Sequence, residues 1–101
     1  MSVPAANPAR IARMRALLVQ AFAPLQLEIT DDSHRHVGHA GARGGQGHFT
    51  VDIVSEAFAG QLPLARHRAI YAALGTMMID DIHALSIRAE TGAERTARDA
   101  G

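Results

Sequence analysis

Leu25-Gln26-Leu27-Glu28-Ile29-Thr30 and His48-Phe49-Thr50-Val51-Asp52-Ile53 are the two stretches that decide the fold. In the first, Leu25, Leu27 and Ile29 alternate with polar residues. In the second, Phe49, Val51 and Ile53 point one way and Thr50 and Asp52 the other. Period-two alternation of this kind predicts strands with one buried face. Upstream, Asn7 followed by Pro8 reads as a helix start. Ile11, Met14, Leu17, Leu18, Ala21 and Phe22 then recur at three- and four-residue steps, one apolar helix face that Pro24 ends. Downstream, Glu56 to Gln61 forms a short turn, and Pro63 opens a second helix. Its stripe holds Leu64, His67, Ile70, Tyr71, Leu74, Met77 and Met78, and Asp80 and Asp81 terminate it. Ile82 to Ala89 is a third strand, with His83, Leu85 and Ile87 on the face opposite Ile82, Ala84 and Ser86. Residues 1–8 read as an N-terminal extension, 9–90 as the domain and 91–101 as a disordered tail. The order predicts an α+β fold, α-β-β-α-β, with a three-stranded mixed sheet and helices packed on one face.

Composition bounds the function. At 101 residues, 48% apolar and 20% charged, the chain suits one soluble domain with a modest core. There is no cysteine, which excludes disulfides, a thiolate zinc site, a self-sufficient iron–sulfur site and a cysteine nucleophile. Six histidines stand instead, three of them (His34, His36, His39) within six residues. Every base is arginine, so lysine Schiff-base chemistry is excluded as well. The net charge is zero and exerts no bulk pull toward nucleic acid. Arg10, Arg13 and Arg15 stand without an acid in the first 22 residues, as in a transit peptide. The apolar run Ala16–Val19 before Ala21-Phe22-Ala23 is shorter than the roughly 7–15 residues of a secretory core. No stretch approaches the roughly 20 apolar residues of a membrane span. A cytosolic domain opening on an amphipathic helix is the expectation.

The connection between the first two strands, residues 32–47, is too long for a hairpin loop of about 2–5 residues. It holds five of the nine glycines and three histidines. It is either a glycine loop with incidental histidines or an arm that delivers imidazole to a metal borne by a partner. His48, at its exit, is a further candidate. His83 is either a hydrogen-bonded core histidine or, at the start of its strand, a ligand that converges with a loop histidine. His67 reads as packing within the fold. Arg66 and Arg68, at the solvent edge of the helix, are either a solvated face or a docking point for an acidic or phosphate-bearing partner. Catalysis has no support: Ser33 beside His34 and Ser55 beside Glu56 give no nucleophile–base–orienter set. GxxG spacing occurs at Gly38–Gly41 and Gly41–Gly44, but in the strand connection rather than between helices.

Taken together these residues resemble the BolA family from about Arg10 to Glu94. The motifs are Leu27-Glu28-Ile29, Asp32-Ser33-His34-Arg35-His36-Val37-Gly38-His39, His48-Phe49-Thr50-Val51, Phe58-Ala59-Gly60, Arg66-His67-Arg68-Ala69-Ile70-Tyr71 and Ile82-His83-Ala84-Leu85-Ser86-Ile87. The resemblance implies a class II KH-like fold and two kinds of function. One is partnership with a monothiol glutaredoxin, the two proteins sharing a 2Fe–2S cluster with glutathione, for iron–sulfur trafficking or iron and redox sensing. The other is transcriptional regulation of stress and cell-morphology genes by DNA binding, for which Arg66, Arg68 and Arg88 would be the contacts. In the first, the implied ligands are His83 and a loop histidine. The serine-x-x-histidine match points to His36, and His34 and His39 stay open. The isolated chain is expected to carry no cofactor, to be a monomer or weak homodimer, and to make no membrane contact.

Overall fold

The structure, a computed structural model, describes residues 3–33 and 47–100, with side chains from residue 8 onward. Helix α1 (Val3–Phe22) leads into strands β1 (Gln26–Asp31) and β2 (Gly47–Val54). A 3-10 turn (Glu56–Phe58), helix α2 (Pro63–Leu74), a single helical turn α3 (Met77–Asp80), strand β3 (Ile82–Glu90) and helix α4 (Gly92–Ala100) follow. The sheet order is β1-β2-β3; β1 runs antiparallel to β2, and β3 parallel to it. This is the expected mixed sheet, with the α2–α3 segment as the crossover between its parallel strands.

Alternation sets the core. Phe49, Val51 and Ile53 of β2 are buried and lie against Met14 and Leu18 of α1 and Ile70 and Leu74 of α2, in one cluster with Ile29, Phe58, Met77 and Ile82. Parallel pairing places Leu85, Ile87 and Ala89 beside Phe49, Val51 and Ile53, so β3 extends the same apolar face. Buried Ser55 stitches the layers together. Its hydroxyl donates to the Phe22 carbonyl (2.7 Å) and accepts from the Ala57 N–H (3.0 Å), capping the 3-10 turn.

Four expectations are corrected. Helix α1 starts at Val3 and runs through Pro8. Pro8 lies inside the helix: its ring holds a helical φ, but it forfeits the bond toward the residue-4 carbonyl and crowds that carbonyl. The second helix ends at Leu74 rather than at Asp80 and Asp81: Gly75, at φ +59°, turns the chain and donates its N–H to the Tyr71 carbonyl (3.0 Å). Leu64 and Tyr71, expected on the buried stripe, are 60% and 41% exposed.

The fourth concerns residues 92–100, which form a helix rather than a disordered tail. Thr91 and Glu94 make a capping box: the Glu94 N–H donates to Thr91 Oγ1 (3.2 Å) and the Thr91 N–H to Glu94 Oε1 (2.9 Å). Arg95 then bonds Glu90 (2.5 Å) and Asp52, while Arg98 bonds Glu90 (2.9 Å). These arginines hold the Glu90 carboxyl below its ordinary range, the bond from Arg98 contributing most. Strap α4 thus lies ionically fastened to one end of the outer face of the sheet. None of the described helices is long and apolar enough to cross a membrane.

Candidate functional site

The site begins with a mismatch in strand register. Gly47 pairs with Ile82, but His48 pairs with Ala84, so β3 carries one extra residue, His83, at this point. Such a bulge bends the strand and re-aims a side chain. It also explains how Ile82 and Leu85, three apart, both reach the core face. The expected common face of His83, Leu85 and Ile87 is therefore corrected. Leu85 and Ile87 face the core, whereas His83 is exposed, with its ring tilted against that of His48 at a centroid distance of 5.0 Å.

Three strand ends are tied together beneath this pair. The Gly47 N–H donates to the Asp81 carbonyl (3.0 Å), bringing the start of β2 to the start of β3. The Asp32 N–H donates to the His48 carbonyl (2.8 Å), and the His48 N–H donates to Ser33 Oγ (3.0 Å). Ser33 is itself turned by its N–H bond to Asp31 Oδ1 (2.8 Å), an Asx-type turn that ends β1. A Cβ on Gly47 would stand 2.7 Å from both Ser33 Oγ and the Phe49 ring, so glycine permits this approach. From α1, Arg10 Nε donates to Asp81 Oδ1 (3.3 Å). Ser33 and Gly47, the described residues on either side of 34–46, are thus both held next to His48 and the start of β3.

His34, His36 and His39 lie outside the described residues. Among the described residues, no group of three or more histidine or carboxylate side chains could hold a metal ion. What this end of the sheet offers is two neighbouring imidazoles, one of them exposed. His48 did not enter the ligand set implied by resemblance; its signal is its place at the exit of the long connection. His67 is half-buried on α2.

Arg66 is not at the solvent edge. It is 8% exposed and folds inward, a correction to its placement as a surface contact. Its Nε donates to the Gln61 carbonyl (2.8 Å) and Nη1 to the Ala89 carbonyl (3.0 Å), while a fork of Nη1 and Nη2 grips Glu94 (2.6 and 2.9 Å). The guanidinium carbon lies 5.9 Å from the centre of the Phe58 ring. The bond from Arg66, aided by the Thr91 N–H, pulls the Glu94 carboxyl down to about 2. The same bond holds the Arg66 guanidinium above its usual value. Helical spacing at Arg66 and Arg68 does not reveal which faces inward; the buried phase set by Ile70 and Leu74, four and eight residues on, does. Arg68 and Arg88 are exposed.

Comparison with known proteins places this architecture. A family profile described as "BolA-like protein" matches residues 18–94. The chain is 44% identical over 87 residues to SufE-like protein 1, chloroplastic/mitochondrial, of Arabidopsis thaliana, covering 81% of this chain and 24% of that protein. It is 39% identical over 79 residues to the DNA-binding transcriptional regulator BolA of Escherichia coli strain K12, covering 78% of this chain and 72% of that one. The solved BolA domain of SufE1 from Arabidopsis thaliana superposes with a TM-score of 0.76 at 42% identity, over 84% of this chain and 94% of that one. The chain spans less than two thirds of the length of the first curated relatives it matches. The family profile, the relatives and the matching mixed-sheet structure agree: the chain belongs to the BolA-like family.

Proposed function

We propose that the protein is an adaptor that docks on a monothiol glutaredoxin and supplies imidazole to a 2Fe–2S cluster held between the two, for iron–sulfur trafficking or iron and redox sensing. The observation that supports this most is the exposed His83 on its bulge, paired with His48 where the histidine-bearing connection is anchored. Neutral imidazole is a good iron ligand. With no cysteine in the chain, the thiolates come from the glutaredoxin and glutathione. A shared 2Fe–2S cluster supplies one-electron chemistry and transferable iron and sulfide, and histidine in place of thiolate raises its potential. Within this chain, the bulge presents His83 to the partner, and the Ser33–His48 bond fixes the neck of the connection. His36 stands three residues beyond Ser33, a covalent reach of about 10 Å. It is the loop ligand we favour; His34 and His39 are the alternatives.

The test is reconstitution with a monothiol glutaredoxin and glutathione, followed by visible absorption and circular dichroism of the purified complex. A coloured 1:1 heterodimer is expected; a glutaredoxin that keeps its cluster without binding this chain would refute the assignment.

A second reading, regulation of transcription by DNA binding, is favoured by the name of the Escherichia coli relative. In this chain Arg66 is turned inward, so Arg68 and Arg88 would carry the phosphate contacts. Duplex binding that weakens steeply with salt and is lost in Arg68→Ala/Arg88→Ala would establish it.

A further inference from the structure

Helix α2 is built with its polarity reversed. The inward row is Arg66, Ile70 and Leu74, while the outward row is Leu64, Ala65, Arg68, Tyr71 and Ala72. An ordinary solvent-facing row carries charges of both signs. This one has a single charge, and no carboxylate occurs anywhere between Glu56 and Asp80. Leu62 is 77%, Leu64 60% and Tyr71 41% exposed. Leu64, Arg68 and Tyr71 fall at i, i+4 and i+7, so they form one stripe with the cation at its centre.

We propose that this stripe is a docking surface for an acidic amphipathic helix of a protein partner, whose leucine-type side chains seat on Leu64 and Tyr71 and whose carboxylate meets Arg68. The i, i+4, i+7 arrangement is the periodicity with which helix recognises helix. The charge selects among occupants. A second copy docked symmetrically about the stripe would set Arg68 against its own counterpart, like charge on like. A nucleic-acid backbone needs several cations, and here the neighbouring arginine is sequestered by Glu94. An acidic apolar helix satisfies both the cation and the leucine. The stripe spans about 12 Å, eight residues at 1.5 Å each, and covers far less than the roughly 800 Å² per partner of a stable interface. By itself it therefore binds weakly. The inference is independent of the histidine pair and stands or falls without the cluster.

The probe is a synthetic 18-residue helical peptide with leucines at i, i+3, i+4 and i+7, flanked by glutamates. It is titrated into 15N-labelled full-length protein at low salt. Amide shifts confined to residues 62–72 are expected. Arg68→Glu is expected to weaken binding at least tenfold, and a peptide with lysine in place of glutamate to recover affinity for that variant. Leu64→Gln is expected to lose binding with a melting temperature within a few degrees of wild type, since its side chain is 60% exposed and glutamine keeps a similar helix propensity. Tyr71→Gln, whose ring is 41% exposed, is expected to lose binding with a modestly lower melting temperature. The proposal is overturned by no shifts at millimolar peptide, by shifts centred elsewhere, or by equal affinity for both peptides. Concentration-dependent broadening of α2 without peptide would overturn it in favour of self-association. Tighter binding of a DNA duplex through the same residues would overturn it in favour of nucleic acid.

Discussion

Replacing Arg66 by alanine tests how the C-terminal strap is held. The guanidinium satisfies the Gln61 and Ala89 carbonyls, grips Glu94 and packs over Phe58. Two carbonyls left without partners cost roughly 2 kcal/mol together, at about 1 kcal/mol each. Loss of the aliphatic stem from its apolar surroundings adds about 1 kcal/mol. Glu94, with 46% of its side chain exposed, regains water and adds little. The sum is about 3 kcal/mol, which at about 4–8 °C per kcal/mol lowers the melting midpoint of a domain this size by roughly 12–24 °C. Arg66→Lys, which keeps the charge but loses the fork, is expected to fall between the two. The pH dependence follows from Glu94, whose carboxyl is pulled from 4.5 to about 2. A depressed acid stabilises the fold above its unfolded value and loses that contribution as pH falls through the folded one. The gap between wild type and Arg66→Ala is therefore full at pH 7, constant down to about pH 5 and narrower between 4.5 and 2 only by the small, solvent-screened share that the Glu94 pair contributes. Thermal melts followed by far-ultraviolet circular dichroism across this range provide the check. An Arg66→Ala midpoint within about 3 °C of wild type at pH 7 would refute the reasoning.

Truncation after Glu90 removes Glu94, Arg95 and Arg98 together but keeps the Arg66 bonds to the Gln61 and Ala89 carbonyls. Partly exposed ion pairs contribute little each, so the midpoint in the same melts is expected to fall by a few degrees, less than in Arg66→Ala, and an unchanged midpoint would mean that the strap contributes nothing. Ala23 sits at φ +44° at the end of α1, where a Cβ is strained, so Ala23→Gly is expected to raise stability by about 0.5–1 kcal/mol in urea titration. Ser33→Ala deprives the His48 N–H of its acceptor, a cost of about 1 kcal/mol, and is expected to weaken the nuclear Overhauser contact between the His48 and His83 rings. Ser33→Thr, which keeps the hydroxyl, is expected to restore that contact.

Much of the fold is legible in the sequence because alternation at Leu27–Ile29 and Phe49–Ile53 admits only one buried face. The mixed sheet then follows from element order. Departures arise where a local signal competes with a contact distant in sequence. The bulge at His83 exists because Gly47 closes on Asp81, a contact between residues 34 apart that no periodicity announces. Arg66 looks like a surface cation until Glu94, 28 residues on, arrives to bond it. The tail looked disordered by composition, yet its Thr91-x-x-Glu94 capping box stands in plain sight; what composition hides is the partnership of Arg95 with Asp52 on another strand. At the site, the histidines are legible one by one. Their pairing is not, because the bulge alone turns His83 from the core face toward His48.

The most direct test of the central claim compares wild type and His83→Ala in complex with a monothiol glutaredoxin and glutathione, through the visible circular dichroism of the cluster. The proposed ligation predicts an altered spectrum and faster cluster loss in the variant, with heterodimer formation without the cluster preserved. An identical spectrum and identical lability would contradict it.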